Sequence, residues 1–149
     1  MAAEPEGRVL GLDLGSRRIG VAVSDAGRRL ATPLTVIERS GDRSTDHHRI
    51  AALAAEEEAV VVVVGLPRSL DGADGPAAAA ARAEATELAA VLRDRGGGIP
   101  VELADERLTT VEAHRRLAES GMGGRRRRKV VDRAAAALLL QAWLDRRRP

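Results

Sequence analysis

Asp13 is a carboxylate set inside an apolar run, Val9-Leu10-Gly11-Leu12-Asp13-Leu14-Gly15. The chain continues through Ser16-Arg17-Arg18 into a second apolar stretch, Ile19-Gly20-Val21-Ala22-Val23-Ser24-Asp25. Two apolar runs on either side of a short polar turn describe two adjoining strands. A charge inside such a strand is costly to bury unless another group compensates it. Gly11 and Gly15 flank the acid and keep side chains out of its way. An acid in that setting suits a metal ion or a phosphate. The alternative is a β-hairpin in which Asp13 lies near an exposed edge.

Other chemistry-bearing residues cluster late in the chain. Asp105-Glu106-Arg107 follows the short apolar stretch Ile99–Ala104, and Asp132 follows a run of five cations, Arg125, Arg126, Arg127, Arg128 and Lys129. The formal charge is only +2, so position and not total charge makes that run informative. A local basic run suits a phosphate backbone, where each cation displaces counterions. Trp143 is the one aromatic residue, so stacking of bases on Phe or Tyr platforms is excluded. Cysteine is absent, which excludes disulfides and thiolate metal sites and fits a cytosolic protein. The three histidines, His47, His48 and His114, have no metal-ligand spacing.

These residues must be positioned by the elements between them. The 149 residues suit one domain spanning 1–149, with 1–7 a loose tail. No apolar run is long enough to cross a membrane, and the N-terminus lacks the pattern of a signal peptide. Strands are expected over 9–14 and 19–24, and a third over 30–39, where Pro33 argues for a sheet edge. Asp25 closes the turn before that strand, with Gly27. Short turns make these three an antiparallel meander. Ser40–Asp46 reads as a loop, and Ile50, Leu53 and Ala54 recur at helical spacing up to Glu58. The unbroken run Val60–Val64 is what a central strand covered on both faces requires. A turn-rich loop with Asp71-Gly72 and Asp74-Gly75 precedes an Ala-rich helix over 77–95, and Gly96-Gly97-Gly98 ends it. Ile99–Ala104 is a short strand, and Thr109 with Glu112 has the spacing of a capping box for a helix to Ser120. Gly121–Gly124 and the basic run read as a loop, followed by a last helix over 130–146.

A parallel strand is reached by a right-handed crossover, so Val60–Val64 lies beside the first strand and Ile99–Ala104 beyond it. The sheet order is then 3-2-1-4-5. In that order Asp13, Asp105-Glu106 and Asp132 gather at the end of the sheet where open α/β sheets bind ligands. Several carboxylates around one cleft repel each other unless cations intervene, and an oxygen-rich site favours Mg²⁺ or Mn²⁺.

The chain resembles the YqgF/RuvX family of pre-16S rRNA nucleases and Holliday junction resolvase-like proteins. Four motifs carry the likeness: Gly11–Gly15 with Arg18–Asp25; Val64-Gly65-Leu66-Pro67 with Asp71-Gly72; Asp105–Thr110; and Lys129 with Asp132 and Ala134-Ala135. The resemblance implies a ribonuclease H-like α/β fold, with a five-stranded mixed sheet flanked by helices. It implies divalent-metal-dependent hydrolysis of phosphodiester bonds, with Asp13, Glu106 and Asp132 as catalytic metal ligands for Mg²⁺ or Mn²⁺. Arg18, Arg107, Arg125, Arg126, Arg127, Arg128 and Lys129 would hold phosphates. Related nucleases often carry an acid at the end of strand four, where this chain has Gly65-Leu66-Pro67. Glu106 is taken as the second ligand, with Asp71 as the alternative. Asp132 could also serve only as a helix cap, and Glu106 only as a surface ion-pair partner. The substrate implied is precursor rRNA, at the 5′ end of 16S rRNA, in the cytoplasm. Branched DNA is the alternative substrate, and a non-catalytic nucleic-acid-binding module the alternative function. No membrane partner is expected, and the protein would be a monomer or a homodimer. Sugar kinases and actin-like ATPases open with a similar first motif, but they need two such domains around a nucleotide.

Overall fold

The computed structural model describes residues 6–67, 75–95, 97–105 and 125–147, and the side chains of residues 125–129 are not among those described. Five strands form one sheet: β1 (Arg8–Leu14), β2 (Arg18–Ser24), β3 (Ala31–Glu38), β4 (Ala59–Leu66) and β5 (Val101–Asp105). Three helices accompany them: α1 (Arg43–Glu56), α2 (Pro76–Asp94) and α3 (Arg125–Arg146). The sheet order is β3-β2-β1-β4-β5. β1 pairs antiparallel with β2 and parallel with β4, and β4 pairs parallel with β5. This is the order expected from the short turns early in the chain and the right-handed crossovers later.

The alternation of side chains along β1 divides the core into two layers. Leu10 and Leu12 face α1 and α2, in a cluster with Ile19, Val62, Val64, Ile50 and Leu88. Val9 faces α3, with Ala22, Val63, Ala136, Leu140 and Leu144. The Val run of β4 serves both layers, which is why it has no polar alternation. Pro33 does lie on the edge strand, and the β2–β3 register slips between Val21 and Ala22, opposite it. A residue with no N–H is tolerated there because the ladder is already interrupted.

Strand ends lie within two residues of those expected, whereas two helix starts differ by more. α1 begins at Arg43, a full turn and more before Ile50. Asp46 in its first turn is buried and accepts a 3.0 Å hydrogen bond from the Ser40 N–H, so the polar stretch is folded onto the helix start. α3 begins at Arg125, so the basic run forms its first turns and is not a loop. Arginine is a good helix former, so nothing in the run opposes a helix. The helix expected over 109–120 lies outside the described residues. Among the described residues no helix is long and apolar enough to cross a membrane.

Candidate active site

Asp13 is only 5 % exposed and lies one residue from the end of β1. Its two-residue alternation with Val9 and Gly11 puts it on the α3 side of the sheet. In the β1–β2 ladder its partner is Gly20. Facing residues of an antiparallel pair share a side and lie about 4.5–5.5 Å apart at Cα.

At Gly20 the α3 backbone lies close against the sheet. A Cβ built on it would stand 2.1 Å from the Asp132 carbonyl oxygen and 3.5 Å from the Ala136 Cβ. Gly11 plays the same part further along, where a Cβ would stand 2.8 Å from that of Leu140. Asp132, Ala136 and Leu140 follow each other at helical spacing, so one stripe of α3 lies across two glycines. Ala136 and Leu140 are fully buried. Asp132 is the polar end of that apolar stripe, and it arrives over the strand partner of Asp13.

Arg18 completes the cluster. Its Nε donates to Asp132 Oδ2 at 2.7 Å, and both side chains are largely shielded from solvent. The sequence reading gave Arg18 to phosphate; the structure gives its Nε to an acid of the site itself. A guanidinium here compensates the charge of the Asp132 carboxylate.

The structure thus brings Asp13, Asp132 and Arg18 together at one end of β1 and β2. Glu106, Arg107 and the alternative ligand Asp71 lie outside the described residues. Asp105, the residue before Glu106, ends β5 and pairs with Leu66 at the end of β4. The backbone of Arg125, Arg126, Arg127, Arg128 and Lys129 occupies the first turns of α3, directly before Asp132. No group of three or more His, Cys, Asp or Glu able to hold a metal ion occurs among the described residues. Asp13 and Asp132 carry hard oxygen donors of the kind Mg²⁺ and Mn²⁺ take.

A polar network behind the site was not anticipated. The Arg39 guanidinium donates from both Nη atoms to Glu84 at 2.9 Å, and its Nε donates to the Gly15 carbonyl at 2.7 Å. His47 Nε2 lies 2.8 Å from Glu84 Oε2. An ionised carboxylate only accepts, so Nε2 carries the proton in that bond. Burial pushes the Glu84 carboxyl up, but hydrogen bonds and charge from Arg39 and His47 outweigh it and hold the pKa below the ordinary 4.5. A depressed carboxylate stabilises the fold fully above its unfolded value and loses that contribution as pH falls through its lower folded value. Thermal melts between about pH 5 and pH 3 should therefore show wild type losing stability. Glu84→Gln should be less stable at neutral pH, with a flatter slope across that window.

Asp25 does close the turn before β3. Its Oδ1 accepts from the Arg29 and Leu30 N–H groups at 2.8 and 2.9 Å, and the bond from Leu30, then that from Arg29, lowers its pKa.

Comparison with known proteins agrees with this architecture. The family model "RuvX: Holliday junction resolvase" matches residues 7–146. A protein of Mycobacterium tuberculosis (strain ATCC 25177 / H37Ra) is 52% identical over 142 residues, covering 95% of this chain and 80% of its own. One of Anaeromyxobacter sp. (strain Fw109-5) is 51% identical over 140 residues, covering 94% and 98%. Both carry the name "Putative pre-16S rRNA nuclease". Among solved structures, Thermus thermophilus RuvC in complex with a Holliday junction substrate superposes with a TM-score of 0.56 at 18% identity, covering 95% of each chain. The yeast mitochondrial Holliday junction resolvase Ydc2 gives 0.57 at 16%, covering 96% of this chain and 80% of that one. At those identities the likeness is one of fold. The family match takes in Asp13, Gly20 and Asp132 alike, and on its extent and the identity to these relatives the chain belongs to the RuvX family.

Proposed function

We propose that this protein is a divalent-metal-dependent nuclease that hydrolyses phosphodiester bonds in the 5′-end processing of pre-16S rRNA. The observation that carries the reading is the meeting of Asp13 and Asp132 across Gly20, with Arg18 between helix and strand. The names of the half-identical relatives support the substrate.

Asp13, Asp132 and Glu106 would hold Mg²⁺ or Mn²⁺, which when bound supplies a Lewis acid and lowers the pKa of water. Asp13 is fixed by its strand and shielded from bulk solvent, so it contributes charge at low dielectric with little reorganisation. Asp132 is fixed by the α3 stripe, and Arg18 limits its motion. The basic run on the first turns of α3 would add its charge to the positive end of the helix dipole, which favours phosphate. Arg107, next to Glu106, would add another phosphate contact. A cytoplasmic location goes with a ribosomal substrate.

A second reading, resolution of four-way DNA junctions, draws on the description of the family model. A side-by-side assay with Mg²⁺ and with Mn²⁺ separates them. The expected result is cleavage of precursor 16S rRNA at its 5′ side with the four-way junction left intact. Preferential cutting of the junction would transfer the protein to the second reading. Binding without cleavage of either would leave a nucleic-acid-binding module.

A further inference from the structure

The β1–β2 turn joins Asp13 to Arg18, and it is held from the side of the sheet opposite α3. Gly15 N–H donates to the Arg18 carbonyl at 2.9 Å, closing the turn on itself. Arg39 clasps it from outside, since its backbone N–H donates to the Arg17 carbonyl at 2.9 Å and its Nε to the Gly15 carbonyl at 2.7 Å. The rest of the Arg39 guanidinium is taken by Glu84 of α2, in a two-pronged pair. Glu84 is itself 5 % exposed and is shared with His47 of α1, which is 2 % exposed.

This arrangement is a poor investment if stability is its only purpose. Buried ion pairs seldom outperform apolar side chains of the same volume, because each charge must be desolvated. What the pair supplies is direction. A carboxylate gripping both Nη atoms fixes the guanidinium plane, and the third nitrogen then points along one line. That line ends on Gly15. Lysine has no such plane and cannot serve three acceptors in fixed directions.

We propose that Arg39, oriented by Glu84 and His47, is a positioning residue for the active site: it fixes the Gly15 carbonyl, and through the turn the relative placement of Asp13 and Arg18. The proposal rests on the nuclease reading above for its catalytic consequence, but its structural half is independent. A misplacement of about 1 Å at a reacting centre costs on the order of 10²-fold in rate. Arg39→Lys and Glu84→Gln should each lower kcat for rRNA cleavage by about 10- to 100-fold with KM nearly unchanged. The charge retained in Arg39→Lys should give no rescue. Arg8→Ala, which removes an exposed pair with Glu57, should leave both constants at wild-type values.

Amide hydrogen exchange on the same proteins provides the readout that does not depend on activity. In Arg39→Lys the Gly15 N–H should exchange faster while Val62 and Val63 of β4 keep their protection. Unchanged protection at Gly15, or an equal loss at Gly15 and in β4, would overturn the proposal. A fall in kcat matched by an equal rise in KM would do the same. If wild type cleaves nothing, the nuclease reading fails and Gly15 exchange still decides whether Arg39 positions the turn.

Discussion

Asp13→Asn should lower cleavage by on the order of 10⁴-fold, the loss found when an acid of a catalytic set is replaced, and should leave nucleic-acid binding within about twofold of wild type. The replacement has nearly the same shape, so the packing against α3 is kept. What disappears is a negative charge, in a position 5 % exposed to solvent. A buried charge is costly to the folded state, so its removal should not lower the melting temperature by more than a few degrees. The basic residues ahead of Asp132 are untouched, which is why affinity should persist. The measurement is single-turnover cleavage of precursor rRNA beside filter binding and a thermal melt. Wild-type cleavage by the variant would remove Asp13 from the chemistry, and loss of fold would make it a structural residue.

The sheet was readable because its signals are local and agree with each other. Val60–Val64 has no polar alternation, so it reads as a strand covered on both faces; it is the strand between β1 and β5, buried from Val61 to Val64 with Val60 exposed. Pro33 could lie only where a ladder bond was dispensable. Asp13 stood out because a carboxylate among leucines breaks the local rule. Glu84 breaks the same rule less visibly. It falls between Ala81 and Leu88 on the stripe of α2 that packs inward, but alanines surround it and an Ala-rich helix hides which side is buried. Its partners Arg39 and His47 are 45 and 37 positions away, and nothing in their immediate neighbourhood marks them. The start of α3 was missed for a different reason: four arginines in a row resemble a solvated loop, yet nothing about them opposes a helix. Gly20 was legible as a residue type but not as a contact. Only the crossing of α3 over β2 reveals that it must lack a side chain.

That crossing leads to the largest expected effect on folding. Gly20→Ala would put a methyl carbon 2.1 Å from the Asp132 carbonyl oxygen and 2.7 Å from its carbonyl carbon. Both are backbone atoms, so no rotamer change relieves the clash, and α3 or β2 must move as a body. α3 is not free to move, because Leu140 is seated over Gly11 on the same stripe and Gln141 accepts from the Ala31 N–H at 2.8 Å and donates to the Arg29 carbonyl at 2.9 Å. Overpacking of a core costs about 1–3 kcal/mol, and a clash against backbone belongs at the upper end, about 3 kcal/mol. For a chain of this size that lowers Tm by about 10 °C. The helix carries Asp132, so its displacement also draws Asp132 away from Arg18 and from Asp13. Cleavage should fall with it, even at temperatures where the variant is fully folded. Gly97→Ala is the matched control: among the described residues its new Cβ would meet only Ile99, at 3.4 Å, an ordinary contact. Urea denaturation of the two variants against wild type is the test. A midpoint for Gly20→Ala equal to that for Gly97→Ala would mean that α3 does not rest on Gly20. The meeting of Asp13 and Asp132 would then lose the contact that produces it.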